Sequence, residues 1–86
     1  MGAQHVEAVE TYTNATDSTL SKYDLIIMAD TLLDSINEHN PRYQNLGNAL
    51  ANARAGGAMV INQSDMKMSI ACGKLLAIPD PTSPTL

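Results

Sequence analysis

The sequence predicts an all-α chain, a helical hairpin or three-helix unit with extended ends that completes its core by self-assembly. Three observations carry this expectation. Capping residues precede apolar patterns of helical period at two points, near Thr16 and near Asn40. The 86 residues include no Phe, no Trp and only three Tyr. Aromatic side chains bury the most area, so a lone core of this size rests on aliphatic residues and Ala and is marginal. Finally, the apolar residues lie on more than one side of the expected helices, so a single copy leaves some uncovered.

The elements follow in chain order. Residues 1–16 are polar and Thr-rich and read as an arm ordered mainly by a partner, with a partly helical form left open. Thr16, Asp17 and Ser18 can each cap a helix running to about Asn37. Leu25, Ala29, Leu32 and Ile36 line one of its faces, while Asp24, Asp30, Asp34 and Glu38 line the other. Tyr23 and Ile27 project from that acidic side. Asn40 followed by Pro41 starts a second helix, because the missing N–H of proline costs nothing at the first helical position. So short a turn makes the two helices antiparallel neighbours. Tyr43, Leu46, Leu50 and Ala53 form the second helix's stripe. Gly56-Gly57 either ends this helix or kinks it.

A third helical segment is expected over residues 58–77, with one stripe of Met59, Met66, Ile70 and Gly73 and another of Ile61, Met68, Cys72 and Leu75. Runs 58–61 and 75–78 also admit a strand reading, since period cannot separate a run that short from buried helix. Pro79 stops the segment and the Pro-rich end is an extended tail. The expected division is therefore a polar arm over 1–16, a helical assembly domain over 17–78 and a tail over 79–86.

Charge and composition narrow the function. Nine acidic and five scattered basic residues give a net charge of -4, which argues against a nucleic-acid partner. The single Cys72 excludes an intramolecular disulfide and fits a reducing compartment. The N-terminal residues lack a signal-peptide pattern, and no apolar run reaches the roughly 18–20 residues that cross a bilayer. A cytoplasmic protein is expected, with no metal, no cofactor and no catalytic residue. Ser64-Asp65-Met66-Lys67 matches a catalytic S-x-x-K motif only superficially and reads as a cap or polar helix position.

Two constellations stand out. Asp30, Asp34 and Glu38 recur at four-residue spacing, with His39 beside them. They form either a solvated face or, if another subunit covers them, a pH-responsive contact. Eight of the twelve residues from 47 to 58 are Gly or Ala, and small residues let helix backbones approach closely. The expected assembly interface is Leu46, Gly47, Leu50, Ala51, Ala53, Ala55, Gly56 and Gly57. It continues through Met59, Met66, Met68, Ile70, Cys72 and Leu75.

The stretch Tyr43-Gln44-Asn45-Leu46-Gly47-Asn48-Ala49-Leu50-Ala51-Asn52-Ala53 resembles the central segment of refractile-body (R-body) structural proteins. Met28-Ala29, Leu32-Leu33, Asn62-Gln63, Gly73 and Leu75-Leu76 fall in a similar order, so the likeness spans roughly residues 6–78. Gly56-Gly57-Ala58 stands where that family has a Gln-rich run, and the turn at 37–41 looks like an insertion. The resemblance implies a structural subunit of the killing trait of bacterial endosymbionts. Its partners would be itself and related small helical subunits in a cytoplasmic inclusion. Such ribbons coil, and some unroll on acidification and rupture membranes mechanically. The alternatives are a secretion-needle-like helical filament subunit and a small acidic adaptor or inhibitor of a single protein partner.

Overall fold

Four consecutive residues, Leu25, Ile26, Ile27 and Met28, decide the architecture. In the computed structural model, which describes residues 8–68 and 74–79, they form a buried strand rather than part of a helix. The all-α expectation is thereby overturned: the chain is an α/β unit built on a parallel sheet.

The described elements are β1 (Ala8–Val9), α1 (Asp17–Leu20), β2 (Leu25–Met28), α2 (Asp30–Asn37), a 3-10 turn (Pro41–Tyr43) and α3 (Gln44–Ala55). They continue with β3 (Met59–Asn62), a second 3-10 turn (Gln63–Met68) and β4 (Leu75–Ile78). The strands lie in the order β1-β4-β2-β3, and every neighbouring pair is parallel. Parallel neighbours require crossover connections. α1 lies in the connection from β1 to β2, and α2 and α3 lie in the connection from β2 to β3.

Periodicity misleads at β2 for a physical reason. A parallel strand covered on both faces carries a continuous apolar run instead of alternation. Leu25-Ile26-Ile27-Met28 is such a run, buried throughout. The helical spacing from Leu25 through Ile36 arises because β2 hands over to α2 at Asp30, so one pattern is shared by two elements. Among the described residues, the expected two-sided third helix is replaced by β3, the second 3-10 turn and β4, and its strand-compatible runs are the parts that become strands. Part of the expected polar arm is ordered as well, since Ala8 and Val9 pair with Leu76 and Ala77.

Register fixes the faces. Ile26 pairs laterally with Val60 and Leu76, and Ile27 with Ile61 and Ala77. Successive side chains point to opposite faces. Ile26, Met28, Leu76 and Ile78 join the helices in one core with Leu20, Leu32, Tyr43, Leu46, Ala49, Leu50 and Ala53. Leu25, Ile27 and Ala77 face the other way and are also buried. In α3, Leu46, Ala49, Leu50 and Ala53 form the inward stripe at helical spacing.

Several local expectations agree with the described ends. Thr16 caps α1, accepting from the Thr19 N–H at 3.5 Å. Asn40 accepts from the Arg42 N–H at 3.1 Å at the start of the 3-10 turn, with Pro41 in its first position. Gly56-Gly57 ends α3. The Ala58 N–H returns to the Ala53 carbonyl at 3.0 Å and the Gly57 N–H to Arg54 at 3.0 Å. Gly57 sits at φ 105, the Schellman termination that glycine serves best. α2 stops the same way: Asn40 donates to Ser35 and His39 to Ile36, but the residue at φ 60 is His39.

Candidate functional site

The carboxyl ends of β2 and β3 meet at Asp30 and Ser64. Ala29 extends β2 by donating its N–H to the Ile78 carbonyl at 2.9 Å. The next residue, Asp30, opens α2. A carboxylate in a first helical turn is stabilised by the unpaired N–H groups there. The N-cap residue itself, Ala29, offers no side-chain acceptor. β3 leaves the sheet through Asn62 into the second 3-10 turn. Ser64 in that turn aims both its backbone N–H and its hydroxyl at Oδ1 of Asp30, each at 3.3 Å. One carboxylate thus ties together the exits of two neighbouring strands.

Asp30 is half-buried and Ser64 exposed. Both Ser64 donors use Oδ1, and among the described residues no hydrogen bond reaches Oδ2. Half-buried Asn62 and Gln63 stand at the same edge. The arrangement can accept a hydrogen bond from a ligand hydroxyl, amide or ammonium. Among the described residues, no group of three or more His, Cys, Asp and Glu is placed to hold a metal ion.

A second polar cluster lies where the chain after β1 meets the turn before α3. Arg42 donates from Nε to the Tyr12 hydroxyl at 2.8 Å. Its guanidinium carbon is 5.5 Å from the Tyr12 ring centre and 5.6 Å from that of Tyr43. The hydrogen bond to Tyr12, with further support from both tyrosines, raises the Arg42 pKa above its already high ordinary value.

The expected pH-responsive groups separate. Asp30 joins Ser64 at the sheet edge, whereas Asp34, Glu38 and His39 are exposed around the second half and end of α2. The expected interface residues disperse too. Leu46, Leu50 and Ala53 are buried inside this chain. Gly47 is half-buried at the α2–α3 contact, where a Cβ would come within 3.1 Å of Ile36 Cγ2. Ala51, Ala55, Gly56, Gly57 and Met59 are exposed. Leu75 begins β4; Met66 and Met68 belong to the second 3-10 turn, and Ile70 and Cys72 lie outside the described residues.

Sequence reasoning missed both polar clusters. Asp30 and Ser64 are 34 positions apart, and Tyr12 and Arg42 are 30 apart. One signal was present for the first. An apolar run with two adjacent Ile that ends in Ala-Asp is the pattern of a buried parallel strand delivering a polar residue to its carboxyl end.

No family model, curated protein or solved structure was found to match this chain. No helix among the described residues is long and apolar enough to cross a membrane.

Proposed function

We propose that this chain is an α/β binding unit that receives a small hydroxyl- or ammonium-bearing ligand at the carboxyl edge of its parallel sheet. The observation that carries the reading is Asp30. Its carboxylate stands at the end of the interior strand β2, with Oδ1 held by Ser64 and, among the described residues, no hydrogen bond at Oδ2. The fold supports the location, because open parallel sheets bind ligands outside the carboxyl ends of their strands. That support is analogy, and the chemistry rests on the residues.

The test is an amide-resolved NMR titration of the full chain with a nucleoside, glycerol and ethylammonium. At least one probe should shift the Asp30 and Ser64 amides saturably. Asp30→Asn should weaken that binding about tenfold, as loss of a charge-assisted acceptor does. Failure of all three probes to perturb those amides, or equal binding by Asp30→Asn, would refute the reading.

A second reading is the self-assembling subunit, up to an R-body ribbon working with related subunits in a cytoplasmic inclusion. It is favoured by the edges of the sheet. Val9 on β1 is 61% exposed and Met59 on β3 is 59% exposed, and both belong to the face turned away from the helices. Unpaired strand edges are templates for further pairing. Sizing and negative-stain microscopy at neutral and mildly acidic pH test this. Ribbons that change shape with acid support it, and a monomer under both conditions excludes it.

A further inference from the structure

The Tyr12, Arg42 and Tyr43 cluster holds a cation in place without neutralising it. Tyr43 is buried and Tyr12 half-buried, with ring centres 4.8 Å apart and planes inclined at 45°. Two rings and the Tyr12 hydroxyl therefore fix the guanidinium. Arginine has five N–H donors, and the Tyr12 bond uses only the one on Nε. Among the described residues, the four donors on the terminal nitrogens meet no hydrogen-bond acceptor and no carboxylate at ion-pair distance. In a chain of net charge -4, this cation is exposed yet anchored.

The terminal edge of a guanidinium matches the paired oxygens of a carboxylate or phosphate. Arg42 shares an open cleft of about 410 Å³ with Thr13, Thr16, Asn45 and Asn48, whose neutral polar groups can donate to the same guest. Asp17 also lines this cleft, and its Oδ1 accepts from Asn52 Nδ2 at 3.1 Å. The rest of the lining is Tyr12, Ala15, Leu46 and Ala49, of which the last three are buried and form the floor of the cleft.

We infer that the cleft beside Tyr12, Arg42 and Tyr43 is an oxyanion-binding site, taking the carboxylate or phosphate monoester group of a small molecule. It is independent of the Asp30 reading, because it uses other residues and the opposite ligand charge. Packing alone would need the stem and the positive charge of Arg42; binding needs its planar fork. Arg42→Lys separates these roles, since it keeps stem and charge and loses the fork.

The experiment titrates the ¹⁵N-labelled full chain with inorganic phosphate and, separately, with acetate, using chloride at matched ionic strength as the blank. Saturable shifts of the Arg42 Nε–H resonance are expected with at least one probe, and the probe that binds tells phosphate from carboxylate. Arg42→Lys should bind that probe about tenfold more weakly, read from the Asn45 and Asn48 amides, with an unchanged thermal midpoint. Tyr12→Phe keeps the ring but removes the Nε acceptor, and should weaken binding several-fold. Shifts no larger than those from chloride, or full affinity in Arg42→Lys, would overturn the proposal.

Discussion

Gly56 and Gly57 are adjacent and chemically identical, yet the fold asks opposite things of them. Gly56 has an ordinary helical φ of -83, and an added Cβ would meet only normal contacts at 3.5 and 3.6 Å. Gly57 stands at φ 105, where an L side chain is strained. Gly56→Ala should therefore stabilise by about 0.5–1 kcal/mol through the unfolded chain. Gly57→Ala should destabilise by about 1–2 kcal/mol. Urea denaturation of the two variants checks the opposite signs. His39 is the converse case, a side-chain-bearing residue at φ 60 in the position Gly57 fills after α3. His39→Gly should stabilise by about 0.5–1 kcal/mol, the αL relief being partly offset by the added freedom of the unfolded chain. An unchanged or lower urea midpoint would contradict that account of the α2 end.

At the scale of elements, β2 separates the two accounts of this chain most sharply. On the helical reading Ile27 projects from the acidic side, and trimming it should matter little. In the sheet Ile27 is fully buried between Ile61 and Ala77. Ile27→Ala should therefore cost about 2–5 kcal/mol, against less than about 0.5 kcal/mol for Met59→Ala on the exposed edge. Chemical denaturation of both variants decides. What the sequence revealed well was punctuation: the Thr16 cap and the Asn40-Pro41 start are local chemistry and fall where local chemistry puts them, whereas Gly56-Gly57 could be placed as a break but not told as a stop rather than a kink. What it concealed was the identity of the apolar runs. Leu25 to Met28 carries no period of its own, and its neighbour α2 lent it one. The small residues of α3 were legible as a close-packing device, but Gly47 meets Ile36 of the same chain. Asp30 was visible as an acidic residue. Its partner Ser64 was not, since only the β2–β3 pairing brings the two together.

For the whole molecule, the order β1-β4-β2-β3 places the most buried strand in the interior and leaves β1 and β3 as edges. That topology explains how a chain without Phe or Trp assembles a core. Aliphatic side chains on both faces of β2 and β4 do the work that aromatics do elsewhere. It also locates the liability. If copies associate, they should do so through an edge, so Met59→Lys should lower the apparent mass on a sizing column without lowering the thermal midpoint. An unchanged mass in an associating sample would place the contact elsewhere.

The parallel pairing of β2 with both neighbours underlies the Asp30 site and the buried Ile27 alike. A backbone nuclear Overhauser spectrum of the full chain reads that pairing directly. The account predicts interstrand proton contacts from residues 26–27 to residues 60–61 on one side and 76–77 on the other. Sequential helical contacts running unbroken from residue 17 to residue 37, with no cross-strand signals, would contradict it.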